Sequence, residues 1–455
     1  MKKYKTGIWL ITNDQRIEDN ENIKDAIIDC EQVISIFVWD KNLKRCSSNS
    51  KQASFFHQSL TELNKLLIPL NGGVGLQMFE GDTISILDEL ISTYKAEAVY
   101  IQNDFTPMFN KFIDQINCKI NVKVSLSGYL SNPNSILKED GSPYLTFSSF
   151  ARAWFRNGHD KKIFPRIAKF QSLEINLKKN FNVLKDKFIF TPIRAKALQR
   201  LNYFIDSSLN SYNVGRDRLD VDGTSMISPY LRSGIISINE AFNLALSRDE
   251  SLTIPGIKSW INELLWREFN MYIMNHFPEI ISSSFNNKLK DYPWEINNEH
   301  LDSWKNGLTG YPIVDSCMKQ LNNLGWMHNR GRMIVASFLT KDLFIDWREG
   351  EKWFMENLVD ADTASNIGGW QWTAGSGVDA APYFRIFNPV TQGKKFDPDG
   401  KFVKNWIPEL KNISSKIIHE PWLNENELKV PYNSPIVDHA QARSKALMIF
   451  DSLKK

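Results

Sequence analysis

Cysteine is scarce in this chain, and the four present stand apart. Cys30, Cys46, Cys118 and Cys317 show no CxxC spacing, so the sequence indicates neither a disulfide framework nor a zinc site. A reduced, cytoplasmic protein is expected. No apolar run approaches the roughly 20 residues that a bilayer-spanning helix needs, so no membrane association is expected. Met1-Lys-Lys-Tyr-Lys is basic, but the run Gly7–Ile11 is short and closed by Thr-Asn-Asp, so no secretory signal is read there. GxGxxG and the Walker lysine are both missing, which argues against a dinucleotide site of the usual Rossmann type. Low-complexity segments are absent, and no tail is read beyond the last helical stretch. Strong charge is lacking too: 55 Lys+Arg against 52 Asp+Glu leave +3, so any nucleic-acid face must be a local patch.

The 455 residues exceed one ordinary core and suggest two domains, perhaps three. A hydrophobic share of 42% with 24% charged residues is that of a folded soluble protein. Eleven of fourteen tryptophans lie after residue 250, so the two halves differ chemically.

The first part alternates. Apolar runs at Gly7–Ile11, Val33–Trp39, Ala98–Ile101 and Val122–Leu126 read as buried strands. Helical patterns lie between them at Ala53–Leu67, at Ile84–Tyr94 and near Asn110. This order predicts an α/β, Rossmann-like domain over residues 1–130 with a parallel sheet covered on both faces. From 131 to 191, Ser131-Asn-Pro-Asn, Gly141-Ser-Pro and Lys178, Lys179, Lys185 and Lys187 read as a surface linker. From 192 to 455 the periodicities are helical, predicting a large all-α domain.

Four stretches carry candidate chemistry. In Trp260-Ile-Asn-Glu263-Leu-Leu-Trp266-Arg267, a helix puts Glu263, Trp266 and Arg267 on one face. That face is either a half-buried ion pair beside a core indole or a pocket wall with a hydrogen-bonding carboxylate and a stacking ring. In Trp326-Met-His328-Asn329-Arg330-Gly-Arg332-Met333, helical spacing aligns Trp326, Asn329 or Arg330, and Met333. Charge on that stripe counts against an apolar core, leaving a phosphate-holding face or a solvated one. Asp222-Gly-Thr224-Ser225-Met226-Ile227-Ser228, preceded by Tyr212 and Arg216, reads as a helix N-cap or an anion cradle. Finally, Asp360-Ala-Asp362-Thr-Ala-Ser-Asn366-Ile-Gly-Gly-Trp370-Gln-Trp372 packs two carboxylates, an Asn, a Gly-Gly step and two indoles into thirteen residues. It suits a large planar, polar ligand. No His or Cys lies close to Asp360 and Asp362, so no metal is expected.

These motifs occur in the order of a known family. Thr309-Gly-Tyr-Pro-Ile-Val-Asp315, Gly325-Trp-Met-His-Asn-Arg-Gly-Arg-Met333, Asp346-Trp-Arg-Glu-Gly350, the Asp360–Trp372 stretch and Phe384-Arg-Ile-Phe-Asn388 resemble the photolyase/cryptochrome family. The resemblance runs nearly end to end, is densest from Tyr212 to Leu410, and is strongest to class I cyclobutane pyrimidine dimer photolyases. It implies a helical domain holding FAD, reduced (FADH⁻) when active. Cofactor contacts then fall on Tyr212, Thr224, Ser225, Met226, Ile227, Ser228, Trp260, Arg267, Asp360, Asp362 and Asn366, with Asn366 facing the flavin N5. The lesion pocket falls on Arg216, Glu263, Trp266, Asn329, Arg330, Met333 and Trp372. Trp370, Trp347 and Trp294 match the family's electron-carrying tryptophans. The implied reaction is light-dependent: an electron from excited FADH⁻ opens the cyclobutane ring of a flipped-out dimer and then returns. Glu263 stabilises the charge that develops. UV-damaged DNA is the implied partner, with a monomeric protein and no protein partner.

The N-terminal match is looser. Thr12 replaces an arginine, whereas Asp14, Arg16, Asp19 and Asn20 are retained, and Asn110-Lys-Phe stands where arginines are usual. The resemblance therefore leaves the antenna chromophore open: methenyltetrahydrofolate, a deazaflavin, or none. Three rivals remain. A cryptochrome-type signalling flavoprotein is the runner-up; against it stand the full lesion-pocket set and Asn366. A (6-4) photolyase would place His where Asn329 and Met333 stand. A DASH-type, single-strand-preferring member is disfavoured by Trp326-Met-His and Gly-Trp-Gln-Trp372.

Overall fold

In the computed structural model, residues 2–43, 50–157, 163–177, 181, 189–290, 292–423 and 432–453 are described. Cys46 and the linker lysines 178, 179, 185 and 187 lie outside them.

Five strands form one parallel sheet: β1 (Tyr4–Ile11), β2 (Cys30–Trp39), β3 (Gln77–Glu80), β4 (Ala98–Gln102) and β5 (Asn121–Ser125), in the order β3-β2-β1-β4-β5. The central strands are near-continuous apolar runs because helices cover both faces. Helices Lys51–Leu67, Thr83–Tyr94 and Pro107–Asn117 realise the three helical patterns. Leu87 and Leu90 are buried with Ile86, and Ile84 and Ile91 pack beside them. Two elements escape the periodicity reading. β3 is a four-residue edge strand with one fully buried residue, and the short helix Glu21–Asp29 is started by Asn20 as N-cap rather than by an apolar stripe. Among the described residues after 192 every regular element is helical. Among the described residues no helix is long and apolar enough to cross a membrane, and no group of three metal-type ligands is assembled.

The stretch 131–191 is more than a surface linker. It contains the helix Phe147–Asn157, whose Phe150 and Trp154 are buried against Phe269 and Phe242 (ring centroids 5.2 and 5.5 Å). Aromatics four residues apart, Phe150 and Trp154, gave this stripe its burial, and the neighbouring Pro and Gly turns hid it.

By internal packing the chain divides into two compact units. One comprises Met1–Asn210, Ser225–Pro278 and Val359–Thr363; the other comprises Ser211–Thr224, Glu279–Leu358 and Ala364–Lys455.

In the first unit the retained N-terminal residues form a buried polar knot. Asp14 accepts from the Trp9 indole (3.0 Å), Asn22 (2.9 Å) and the Thr12 backbone (3.0 Å). Arg16, 1% exposed, donates to the carbonyls of Asp19, Gly234 and Ser127. Asp19 accepts from the Phe164 N–H (2.9 Å) and from the Ser237 hydroxyl. Gly234 has φ +76°, and a Cβ there would lie 1.9 Å from the Asn13 carbonyl oxygen, so only glycine lets the two backbones meet.

In the second unit Asp315 explains the Thr309–Asp315 motif. Fully buried, its carboxylate accepts from the Thr309 N–H (2.7 Å) and hydroxyl (2.6 Å), the Gly310 N–H (3.1 Å) and the Tyr432 hydroxyl (2.6 Å). This is a structural clamp.

Candidate functional site

The first unit supplies one set of predicted residues. Helix Pro255–His276 carries Trp260, Glu263, Trp266 and Arg267. Trp260 is buried against Phe204 (5.5 Å), whereas Glu263, Trp266 and Arg267 are half-buried along one stripe, as the spacing predicted. Trp266 stacks on Phe147 at 4.0 Å with 6° between the rings, so one of its faces is already used. Arg267 donates to the Gly128 carbonyl (3.0 Å), pairs with Glu268 (3.2 Å) and lies over Tyr129 at 5.2 Å.

Glu268 itself is 1% exposed, and its other oxygen accepts from the Leu130 N–H at 2.9 Å. Burial pushes its carboxyl up from 4.5 to about 7, outweighing Arg267 and the backbone donor. Folding therefore favours the protonated form. That contribution is full below about pH 4.5 and is lost as the pH rises through about 7, a swing of up to about 3 kcal/mol. Glu268→Gln, which keeps an acceptor for Leu130, should flatten melting temperature against pH across this window; an unchanged slope would remove Glu268 as its source.

The Thr224–Ser228 turn departs from the N-cap reading. Helix Ser228–Ser233 is only six residues long, and its cap position is Ile227, without a side-chain cap bond. Met226 sits at φ 53°, a left-handed backbone that interrupts the approach to the helix, and the Ser225 carbonyl accepts from Arg200 (3.0 Å). In the Val359–Thr363 segment Asp360 is buried and Asp362 pairs with Arg232 at 3.4 Å. Arg232 also donates to the Ala361 carbonyl, as does Gln52, both at 2.7 Å.

The second unit supplies the rest. Helix Thr363–Ala374 carries Asn366 and Trp370 one turn apart, with Trp372 about 200° round from Trp370. Trp370 is 2% exposed and Trp372 is half-buried. The Asn366 amide nitrogen donates to both the backbone carbonyl (3.0 Å) and the carboxylate (2.9 Å) of buried Glu351. Its oxygen is thereby turned the other way, as an acceptor. A Cβ on Gly350 would lie 2.0 Å from the Trp370 ring, so that glycine sets how closely the helix Trp347–Asn357 meets the indole.

The predicted Trp326 stripe is corrected. Helix Asn329–Ser337 begins after Trp326, with His328 as its N-cap, so Trp326 does not share a helical face with Asn329, Arg330 and Met333. The cause is the extended backbone at His328 (φ −55°, ψ 140°). Arg330 is not a solvated charge: it pairs with Asp217 at 2.7 Å and lies over Phe396 at 4.4 Å. Arg216 lies over the Tyr212 ring at 5.7 Å.

Two of the three tryptophans are buried and one is not. Trp370 and Trp347 are 2% and 1% exposed, and Trp294 is half-exposed beside Tyr292 at 4.2 Å. The indole N–H groups of Trp347 and Trp370 are buried with no hydrogen-bond partner among the described residues.

Sequence reasoning missed the residues that aim these groups: Glu351 on Asn366, Arg232 on Asp362, and Asp217 on Arg330. Arg232 lay four residues past Ser228 and Asp217 beside Arg216, so both were visible as charges. Glu351 carried no such signal, because its partner is fifteen residues away.

Comparison with known proteins follows this geometry. Residues 7–168 match the family model described as DNA photolyase, and residues 260–452 match the FAD binding domain of DNA photolyase. A deoxyribodipyrimidine photo-lyase of Agrobacterium fabrum is 36% identical over 98% of this chain and 98% of its own. A class III photolyase structure from Agrobacterium tumefaciens aligns with TM-score 0.89 and 34% identity over 100% of this chain and 98% of that one. A cryptochrome structure from Synechocystis aligns with TM-score 0.88 and 25% identity, covering 99% of each chain.

Proposed function

The chain belongs to the DNA photolyase family, and from that footing we propose how its residues divide the work of light-dependent repair of cyclobutane pyrimidine dimers. It is a deoxyribodipyrimidine photo-lyase-type enzyme with FAD as its cofactor. When bound, reduced FAD supplies the photoexcited electron that splits the cyclobutane ring, chemistry that belongs to the cofactor rather than to a side chain.

The residues present fit such a group. Asn366 has its amide oxygen set as an acceptor, suited to an N–H at the edge of a flavin ring. Asp362 is oriented by Arg232, and the left-handed Met226 opens the Thr224–Ser228 turn for close backbone approach. Tyr212, Thr224, Ser225, Met226, Ile227, Ser228, Trp260, Arg267, Asp360, Asp362 and Asn366 would hold the cofactor. The observation that carries this reading is the amide of Asn366, fixed on the helix that also bears Trp370 and Trp372.

A dimer already pairs and stacks badly, which lowers the cost of flipping it out. The remaining face of Trp266, together with Trp372, receives the bases. Glu263 and Asn329 bond their polar edges, Met333 packs beside them, and Arg216 and the Asp217-anchored Arg330 meet phosphate. Glu263→Ala should slow repair and leave bound flavin unchanged; flavin lost in proportion to activity would instead make Glu263 a cofactor residue.

Trp370, Trp347 and Trp294 form the electron relay. Trp347 and Trp370 are buried and Trp294 is partly exposed, so Trp294 is the member of the three that meets solvent. For Trp294→Phe, photoreduction of the purified protein should slow while prereduced protein repairs normally. Impaired repair in the prereduced state would contradict the relay assignment.

Where an antenna chromophore is bound, a folate or a deazaflavin, we place it in the first unit; the third alternative is that none binds. A small cleft of about 20 Å³ lies at the C-terminal ends of β1, β2 and β4, lined by Leu10, Thr12, Phe37, Ile101, Asp104 and Phe109 among others; as it stands it marks a location and does not enclose a folate or a deazaflavin. Open parallel sheets bind ligands where the strand order reverses, here between β1 and β4. A violet or near-UV band in freshly purified protein supports this assignment. We further assign residues 1–130 to antenna binding and 192–455 to FAD and DNA binding, in a monomeric, cytoplasmic protein.

A further inference from the structure

We propose that His328 is a positioning residue for lesion binding: its imidazole caps the helix Asn329–Ser337 with a neutral acceptor and so fixes Asn329 and Arg330 without drawing off positive charge. The proposal rests on the DNA-repair reading above.

The geometry is specific. His328 is 6% exposed and occupies the N-cap position, where Ser, Thr, Asp or Asn is usual. Its Nδ1 accepts from the Arg330 N–H at 3.1 Å, so the ring proton resides on Nε2. Its backbone is held at both ends: its N–H donates to the Gln320 side chain at 3.1 Å, and its carbonyl accepts from the Arg332 N–H at 3.1 Å. The Trp326 ring meets the imidazole edge-on at 6.4 Å. Nε2 is buried with no hydrogen-bond partner among the described residues. A buried donor left unmet is a cost that a plain helix cap would avoid.

Charge explains why an imidazole suits this place. Asp217, Arg330, Arg332 and Arg216 all act on His328, and burial together with the three arginines holds it neutral, down to about 4. An Asp cap would place a second carboxylate beside Asp217 among arginines meant for phosphate. A Ser or Thr cap would leave most of the ring's buried volume empty, and cavities are destabilising. A neutral aromatic acceptor meets both demands. Asn329, exposed, and Arg330, half-buried, are the first two residues of the helix it caps, so loss of the cap acts on them first.

The test uses the full-length, flavin-loaded protein and a duplex carrying one thymine dimer, with equilibrium binding and repair under saturating light measured in parallel. His328→Asn, a neutral cap, should bind like wild type. His328→Leu, without an acceptor, should bind the dimer about five- to tenfold more weakly, with repair per bound dimer and flavin content unchanged. His328→Asp keeps the cap but should weaken binding and lower the salt dependence by about one phosphate contact. Leu and Asn variants that lose affinity equally would overturn the acceptor role. An Asp variant that binds like wild type would overturn the charge argument, even if the Leu variant fails to fold. Wild-type protein that neither binds nor repairs the dimer would instead overturn the repair reading itself.

Discussion

Arg16→Leu will destabilise the protein by about 3–5 kcal/mol, the cost of breaking a buried charged network by removing one partner. Three carbonyls, those of Asp19, Gly234 and Ser127, lose their donor at once, and Asp19 is left facing Ser237 and the Phe164 N–H without the nearby cation. Burial pulls the guanidinium below its ordinary value, but Asp19, Glu240 and Asp14 act against that, so it stays charged and its neighbours depend on it. Arg16→Lys will recover little, because one ammonium cannot reproduce a fork that serves three acceptors. Thermal unfolding followed by circular dichroism checks this; a Leu variant that melts with wild type would mean the knot is not what holds residues 12–20 in place.

Glu351→Ala should reduce repair by roughly tenfold while flavin remains bound, the consequence of freeing one buried amide from a charge-assisted partner. Two bonds hold Asn366, one to the Glu351 backbone carbonyl and one to its carboxylate. The backbone bond survives the substitution, so the amide keeps one of its two anchors and is held less firmly in its orientation. Glu351→Gln retains an oxygen acceptor and should lie close to wild type. The readouts are the flavin absorption spectrum and the repair yield per absorbed photon. Equal losses in Ala and Gln would shift the role from amide orientation to the negative charge of Glu351.

Much of this was legible in the sequence, and the reasons differ by element. The sheet could be read because a strand buried on both faces is a near-continuous apolar run, as Trp9 to Ile11 and, with the one exception of Ser35, Val33 to Trp39 are. β3 could not, because its four residues, Gln77–Glu80, contain only one that is fully buried and include two polar ones, too short a run to stand out. The Glu263–Trp266–Arg267 stripe followed from helical spacing alone. The Trp326 stripe failed because a single capping residue, His328, starts the helix later than the periodicity implies. The N-cap at Thr224–Ser228 failed for a backbone reason, the left-handed Met226. Partners far away in sequence, such as Glu351 with Asn366 and Asp217 with Arg330, are set by packing, which no local pattern reports. The electron role proposed for Trp294, Trp347 and Trp370 came from resemblance; the structure adds that Trp347 and Trp370 are buried and Trp294 is partly exposed.

One experiment bears on the central claim most directly. Purified, prereduced protein is mixed under anaerobic conditions with an oligonucleotide holding a single thymine dimer, and parallel samples are kept dark or exposed to blue light. The account predicts intact thymines only in the illuminated sample, at many dimers per protein molecule. Flavin that is bound and reduced beside dimers that persist in the light would contradict it, and would favour the signalling role of a cryptochrome.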